Sequence, residues 1–233
     1  MTALLFSVKE FFFPSGCGLC GAALFEPGEA PQGLCTPCRE SLETRPETPA
    51  EECCGRCGRP LISEQGRCLS CREQDDWNCD SVSLLYPYTG QYRKLLGAYK
   101  FQKNLGLGNY LAGRLAERCR DFPGFEVVPV PPRPGKIRRT GWDQVEYLAR
   151  RLGKEGLPVR RCLKRLPSQT QKKLGRRERL QNLEGRFIPT GTPPRRALLI
   201  DDVMTTGATL EACAAALKKG GSEQVCGICL FYD

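Results

Sequence analysis

The second half of the chain alternates short apolar runs with amphipathic stretches. The apolar runs Phe125 to Val130, Arg196 to Ile200 and Val225 to Tyr232 have the length of buried strands. Helical spacing of apolar residues marks Asp143 to Leu152 and the alanine-rich stretch Thr209 to Lys219, which ends at a glycine pair. Strands that alternate with helices predict a parallel α/β sheet flanked by helices.

The first half is less regular. Ser81 to Tyr86 predicts a strand, and Tyr92 to Phe101 and Tyr110 to Cys119 predict helices. Residues 15–80 are rich in Cys, Gly and Pro and show no sustained periodicity. Such a segment buries little apolar surface, so another source of stability must hold it together.

The first fourteen residues are apolar but carry Lys9 and Glu10 in their middle. They show no basic leader region and no small-residue cleavage site, and no run reaches the ~18 apolar residues of a membrane span. We therefore expect a short amphipathic helix over residues 1–14, no membrane span and a reducing, cytoplasmic location.

The composition narrows the possible chemistry. The chain is 40% hydrophobic and 26% charged, as in soluble globular proteins. It contains no histidine, which excludes Ser-His-Asp triads and histidine metal ligands together. The formal net charge is +9, and two tetrathiolate zinc sites would reduce it to about +5. This balance favours an anionic ligand without requiring nucleic acid.

Four Cys-x-x-Cys pairs follow one another in residues 15–80. A Cys-x-x-Cys turn directs two sulfurs at one centre, and two turns complete a tetrahedral shell that suits Zn²⁺. The pattern predicts two structural zinc ribbons with no open coordination position, with disulfides and an iron–sulfur cluster as alternatives. The predicted ligands are Cys17, Cys20, Cys35 and Cys38 for the first ion and Cys54, Cys57, Cys68 and Cys71 for the second.

The other cysteines show no sign of catalysis, because the usual histidine partner of a catalytic thiolate is missing. Cys53 could replace its neighbour Cys54 as a ligand, although the spacing favours Cys54, and the role of Cys79 is undecided. Five more lie in apolar elements and are expected to be ordinary buried residues: Cys119, Cys162, Cys213, Cys226 and Cys229.

The most specific motif runs from Ala197 to Thr209. An apolar strand delivers Asp201 and Asp202 at its carboxyl end, and a Thr/Gly loop then opens a helix. Backbone N–H groups, hydroxyls and the helix N-terminus form an anion cradle, in which Gly207 allows close approach and Thr209 can cap the helix. Two acids beside such a cradle fit a ribose 5-phosphate: the carboxylates would accept hydrogen bonds from the ribose hydroxyls, and the loop would bind the phosphate.

This run resembles the phosphoribosyl pyrophosphate (PRPP) motif of type I phosphoribosyltransferases. A Rossmann-like turn with incidental acids is the alternative, but here the strand, the paired acids, the loop and the helix all match. The resemblance implies a type I phosphoribosyltransferase-like domain over residues 81–233, behind a double zinc ribbon over residues 15–80. It also implies that PRPP is bound by Asp201, Asp202, Thr205, Thr206, Gly207, Ala208 and Thr209.

Two upstream segments extend the resemblance. One is Val128-Pro-Val-Pro131 followed by Arg133, Lys136, Arg138, Arg139 and Gly141-Trp142-Asp143-Gln144. The other contains Arg165, Ser168, Gln171, Leu174, Arg179 and Asn182. Together with the cysteine pairs, they make the whole chain similar to the ComF family of competence-associated double-zinc-ribbon phosphoribosyltransferase-like proteins.

The chain departs from the family pattern at three positions. Thr140 stands where Arg is usual, Asp143 where Asn is usual and Ser168 where Thr is usual. Asp143 places a negative charge near a site meant for pyrophosphate, where it could pair with Arg138 or Arg139.

The resemblance implies transfer of a phosphoribosyl group from PRPP, in which positioning and electrostatics do most of the work. Mg²⁺ would bridge ligand oxygens with few direct protein ligands. Asp201, Asp202 and Arg179 are the catalytic candidates, and Arg138, Arg139 and Arg165 are further PRPP ligands. A basic run would form a mobile hood over pyrophosphate, with a solvated helix face as the alternative. Its residues are Lys172, Lys173, Arg176, Arg177 and Arg179.

Three functions remain open at this point. The first is a PRPP-dependent transferase, for which Thr205 disfavours a 6-oxopurine acceptor because purine-specific relatives often carry Asp there. The second is a DNA-uptake factor that binds single-stranded DNA or competence proteins and uses the PRPP site for sensing. The absence of an aromatic stacking surface makes the sequence support for DNA weak. The third is a scaffold with a vestigial site, against which the intact motif argues.

Overall fold

The computed structural model describes residues 15–44, 48–73, 77–167 and 185–233. The expected N-terminal helix 1–14 lies outside the described residues. So do Ser168 and the basic run that includes Arg179.

The described residues form six strands, eight α-helices and one short 3₁₀ helix at Ala50–Glu52. The strands are β1 (Ser81–Pro87), β2 (Glu126–Pro129), β3 (Leu163–Arg165), β4 (Phe187–Pro189), β5 (Arg196–Met204) and β6 (Gln224–Tyr232). The helices are α1 (Glu29–Gln32), α2 (Thr36–Glu43), α3 (Leu69–Arg72), α4 (Gly90–Gln102), α5 (Leu105–Cys119), α6 (Lys136–Thr140), α7 (Gln144–Lys154) and α8 (Ala208–Lys219). Within this part of the chain, none of the helices has the length and apolar character needed to cross a membrane.

Four strands form one parallel sheet in the order β1-β6-β5-β2. The central strands β5 and β6 are buried along most of their length, because helices cover both faces of the sheet. Helices α4, α5 and α7 pack on one face and α8 packs on the other. Strands β3 and β4 form a separate antiparallel pair. The predicted α/β class with a parallel sheet flanked by helices is confirmed.

The central motif differs from the prediction in its boundaries. Strand β5 continues to Met204, so Asp201 and Asp202 lie within the strand rather than after it. Helix α8 begins at Ala208, and its N-cap residue is Gly207, whose φ of 77° lies in the left-handed region. The expectation that Thr209 caps the helix is therefore wrong, because Thr209 already lies in the first turn.

The two cysteine segments pack on different parts of the fold. In the first ribbon (residues 15–44), a Cβ added at Gly18 would lie 2.5 Å from the side chain of Leu107 on α5. In the second ribbon (residues 48–73), a Cβ at Gly58 would lie 2.1 Å from the carbonyl oxygen of Val82 on β1. The ribbons thus join the hydrophobic clusters on opposite sides of the sheet. A domain boundary near residue 80 stays a prediction.

Candidate functional site

The eight predicted zinc ligands form two clusters, and within each cluster the ligand atoms lie within 4.8 Å of one another. The sulfurs of Cys20 and Cys35 are 3.7 Å apart, and those of Cys57 and Cys68 are 3.8 Å apart. Tetrahedral ligands at a Zn–S distance of ~2.3 Å would be separated by about 3.8 Å, so the sulfurs fit Zn²⁺. All cysteines of the described residues are free thiols. We assign two structural zinc sites.

In each ribbon, backbone hydrogen bonds favour the thiolate form of the first cysteine, whereas burial raises the pKa of Cys35, Cys38, Cys57 and Cys71. The Gly21 N–H donates to the Cys17 carbonyl at 2.9 Å, and the Gly58 N–H donates to the Cys54 carbonyl at 2.8 Å, which closes matching turns. Burial alone would raise the pKa of Cys17 and of Cys54, but hydrogen bonds from neighbouring backbone N–H groups outweigh it and lower each pKa to about 6. Thiolates are the form that binds metal.

The remaining cysteines lie outside the two clusters. The Cys53 sulfur is 3.9 Å from the carbonyl oxygen of Thr48, so Cys54 is the ligand of the pair. The Cys79 sulfur is 3.4 Å from the carbonyl oxygen of Ser81. The five cysteines expected to be buried in apolar elements are all buried, which confirms that prediction: Cys119, Cys162, Cys213, Cys226 and Cys229.

The adjacent carboxylates have different surroundings, because neighbouring residues of a strand point to opposite faces. Asp202 is buried, and its Oδ2 accepts hydrogen bonds from Lys100 Nζ and Gln144 Nε2, both at 2.6 Å. Asp201 Oδ1 accepts a bond from the Asp202 N–H at 2.8 Å. Burial and the neighbouring Asp202 carboxylate raise the pKa of Asp201 well above its usual range. Asp202 thus forms a direct ion pair with Lys100, whereas the pKa of Asp201 is raised by burial and by the Asp202 carboxylate.

The network around Asp202 continues to the loop after β2. Lys136 Nζ donates to the side-chain oxygen of Gln144 and to Asp143 Oδ2, the latter at 2.6 Å. Asp143 Oδ1 also caps α7 by accepting from the Glu146 N–H at 3.0 Å. Lys136 therefore neutralises the negative charge that departs from the family pattern. The expected pairing of Asp143 with Arg138 or Arg139 is wrong.

The segment from Thr205 to Gly207, called the phosphate loop below, joins β5 to α8. Thr205 is exposed, Thr206 is half-buried and Gly207 is buried. The Thr206 hydroxyl oxygen accepts from the Ala208 N–H at 3.3 Å. The loop begins three residues after Asp202, at the carboxyl edge of the parallel sheet where open α/β folds bind ligands.

The predicted cations divide into two groups around this edge. Arg165 ends β3, and its guanidinium carbon lies 5.2 Å from the centroid of the Phe187 ring. Burial and the charge of Arg133 lower the pKa of Arg165, whereas its interaction with Asp201 acts in the opposite direction. Arg138 and Arg139 are exposed on α6. The catalytic candidate Arg179 is not among the described residues.

Two site residues were missed from the sequence. Lys100 stands eight residues after Tyr92 and four after Leu96, on the stripe that α4 buries, and a lysine at such a position signals an ion pair. Arg59 of the second ribbon donates to the Thr205 carbonyl oxygen. Its counterpart in the first ribbon is Ala22, and this difference between the two repeats was a visible signal.

Comparisons with known proteins agree with the motifs. Residues 8–72 match the double zinc ribbon domain family. The chain is 30% identical to Competence protein F of Haemophilus influenzae over 211 residues, which cover 84% of this chain and 89% of the relative. It is 27% identical to Competence protein ComFC of Streptococcus pneumoniae over 197 residues, which cover 82% of this chain and 84% of the relative.

Two solved structures align with parts of the chain. A purine phosphoribosyltransferase from Pyrococcus horikoshii Ot3 aligns over 55% of this chain and 80% of its own, with 19% identity and a TM-score of 0.33. The adenine phosphoribosyltransferase of Leishmania tarentolae aligns over 69% of this chain and 94% of its own, with 14% identity and a TM-score of 0.38. The sequence relationship to the first competence protein extends over most of both chains, and it shows that this protein belongs to the competence protein F (ComF) family.

Proposed function

We propose that this protein binds PRPP or a related ribose 5-phosphate ligand, together with Mg²⁺, and transfers the phosphoribosyl group to an acceptor with release of pyrophosphate. The observation that carries the proposal is that Asp201, Asp202 and the phosphate loop lie within a few residues of one another at the carboxyl end of β5. The loop and the N-terminus of α8 suit the 5-phosphate, and the acids suit the ribose hydroxyls.

The environment of Asp202 supports a role in holding the sugar. Among the described residues, its side-chain hydrogen bonds from Lys100 and Gln144 both go to Oδ2. A carboxylate offers about four lone-pair sites, so Oδ1 can accept a ribose hydroxyl. Because Lys100 already neutralises Asp202, direct coordination of a divalent cation there is disfavoured. We therefore place Mg²⁺ on ligand oxygens, as Mg²⁺ often binds in phosphate sites.

Pyrophosphate would leave with negative charge, and fixed cations stabilise such charge. Arg138 and Arg139 lie exposed on α6, which follows the end of β2, and Arg165 interacts electrostatically with Asp201. We assign these three arginines to the negative charge that develops on the leaving pyrophosphate. Arg179 keeps the same assignment from the family pattern alone.

A second candidate is a role in DNA uptake. The two similar proteins are named competence proteins. The chain has a formal charge of +9, and Arg138 and Arg139 are exposed. On this reading a cytoplasmic protein would bind single-stranded DNA or competence proteins, and the PRPP site would sense a nucleotide precursor.

The ribose assignment is tested by replacing Asp201 and Asp202 with Asn and titrating PRPP by calorimetry, with and without Mg²⁺. Loss of a hydrogen bond to a charged group typically costs about 1.5–3 kcal/mol, so losing two should lower affinity at least a hundredfold. Asp121→Asn, at an exposed surface pair, is the matched control and should bind like the wild type. Unchanged PRPP affinity in the double variant would exclude the proposed role of the acids.

Transferase and DNA functions are separated by Arg139→Ala, with Arg150→Ala on the exposed face of α7 as control. If Arg139 serves pyrophosphate, the variant should lose affinity for PRPP far more than for ribose 5-phosphate. If it serves DNA, single-stranded DNA binding should weaken, and its log–log salt slope should flatten by about 0.7 per lost phosphate contact. Equal losses for both sugar phosphates together with a flattened slope would overturn the transferase proposal.

A further inference from the structure

We propose that Arg59 of the second zinc ribbon is a positioning residue for the phosphate loop: it fixes one loop peptide so that the next backbone N–H faces the bound phosphate. The identity of the ligand in this inference rests on the proposed function, whereas the effect on the loop does not. Arg59 donates to the Thr205 carbonyl oxygen across 146 residues of chain.

The two ribbons show that Arg59 is not needed by the ribbon itself. In the first ribbon the Cys17 N–H donates to the Ala22 carbonyl at 2.7 Å, and in the second the Cys54 N–H donates to the Arg59 carbonyl at 2.8 Å. Both residues occupy the same place in the same turn. Because Ala22 completes that turn without a long side chain, the guanidinium of Arg59 is free to serve the neighbouring loop.

The packing of the second ribbon on β1 also fixes the backbone position of Arg59. Gly58, which precedes it, packs so closely on β1 that an added Cβ would lie 2.1 Å from the Val82 carbonyl oxygen. The equivalent residue of the first ribbon, Gly21, has nothing within 4 Å of an added Cβ. At this position of the turn, only the second ribbon makes a close backbone contact with the sheet, and this contact anchors the base of the Arg59 side chain.

The planar peptide between Thr205 and Thr206 links the Arg59 hydrogen bond to the orientation of the loop. The chain has no cis peptide bond among its described residues, so the Thr205 carbonyl and the Thr206 N–H point in opposite directions across one planar unit. When Arg59 holds the carbonyl on the ribbon side, the Thr206 N–H is turned away from the ribbon. An anion cradle needs its N–H groups directed inward and its carbonyls directed outward.

A second contact from the same side supports the loop. An added Cβ at Gly207 would lie 2.7 Å from Trp77, which follows the second ribbon in the chain. The next residues are tied to the first turn of α8, because the Glu211 carboxylate accepts from the N–H groups of Asn78 at 2.7 Å and Cys79 at 3.2 Å. The loop is therefore contacted at Thr205 by Arg59 of the second ribbon and at Gly207 by Trp77.

The test uses the full zinc-loaded chain with Arg59→Ala, Arg59→Lys and the control Arg39→Ala, whose guanidinium bonds to Gln32 within the first ribbon. Backbone hydrogen exchange at Thr206 and Gly207 is measured together with ribose 5-phosphate affinity and zinc content. We expect Arg59→Ala to keep both zinc ions, to exchange faster at the loop and to lose on the order of tenfold in affinity. Arg59→Lys should recover part of both effects, and Arg39→Ala should change neither.

The outcomes separate this inference from the proposed function. Wild-type exchange at the loop in Arg59→Ala would overturn the positioning role, and so would loss of the second zinc ion, since Arg59 would then serve the ribbon. A wild-type protein that binds no ribose 5-phosphate would refute the proposed function. In that case the exchange rates at Thr206 and Gly207 alone would decide whether Arg59 positions the loop.

Discussion

The two adjacent acids of β5 should respond in opposite directions to the same isosteric change. Asp201→Asn removes a carboxylate whose pKa is raised by burial and by its neighbour, and the amide oxygen can still accept the Asp202 N–H. The variant is therefore expected to be more stable than the wild type at neutral pH. Asp202→Asn removes the charge that pairs with Lys100 and should be less stable.

The magnitudes follow from these contacts. Each unit by which a pKa is raised corresponds to about 1.4 kcal/mol, and a chain of this size shifts its Tm by about 2–4 °C per kcal/mol. Asp201→Asn should thus raise the Tm by about 3–6 °C for each unit by which the pKa of Asp201 is raised. The Asp202 side chain is 9% exposed and that of Lys100 is 31% exposed, so solvent screens their pair little. Losing this charged bond should cost about 1.5–3 kcal/mol, or roughly 3–12 °C.

The pH dependence of stability independently tests whether Asp201→Asn stabilises the protein. An unfolded aspartate titrates near pH ~3.9, whereas folded Asp201 titrates higher, so above this pH the folded state binds more protons than the unfolded state. The stability of the wild type therefore falls as the pH rises from the pKa of an unfolded aspartate towards that of folded Asp201. Over the same range, the stability gained by Asp201→Asn relative to the wild type should grow with pH.

Thermal unfolding followed by circular dichroism between pH 5.5 and about 7.5 measures this difference while thiolate sites keep their metal. Asp121→Asn, whose side chain is 61% exposed, is the control and should shift stability by no more than about 0.5 kcal/mol. A destabilised Asp201→Asn, or a stability advantage that shrinks as pH rises, would refute the reasoning about the Asp201 carboxylate.

Two further predictions concern the ribbons. Elemental analysis should find two zinc ions per chain, and chelation should loosen the ribbons while the parallel sheet stays folded, because ribbon folding is coupled to metal binding; zinc-free protein with blocked thiols would show disulfides instead. Gly58→Ala should cost about 1–3 kcal/mol more than Gly21→Ala in chemical denaturation. Both place Ala at positive φ, but only Gly58 faces the Val82 carbonyl, and equal costs would contradict the close seating.

Much of the fold could be predicted because its determinants are local. Apolar runs bounded by Pro, Gly and acidic residues indicated the strands, and the Cys-x-x-Cys spacing brought each set of four sulfurs together. The end of β5 was placed too early, at Ile200, because two acids look like a strand terminus. The strand continues because Lys100 and Gln144 compensate Asp202 within the sheet, and this compensation comes from residues 102 and 58 positions away.

In the candidate site too, the sequence predicts the local motif but not the contacts made by residues distant in the chain. The acids and the phosphate loop form one continuous motif, so the sequence alone places them together. The ion-pair partner of Asp143 depends on which of several nearby cations points towards it. Lys136 does so, whereas Arg138 and Arg139 face solvent. Periodicity cannot rank neighbouring cations in a short helix whose residues are half-buried or exposed.

The division of the acids between two faces also suggests what the two closed zinc sites would contribute to the proposed phosphate site. Asp202 is held by α4 and α7, on the face whose hydrophobic cluster includes the first ribbon. The phosphate loop and α8 lie on the face whose cluster includes the second ribbon. A ligand that spans the acids and the loop would therefore depend on both faces at once. Because the ribbons offer no open coordination position, we expect each of them to support one side of the proposed site rather than to take part in its chemistry.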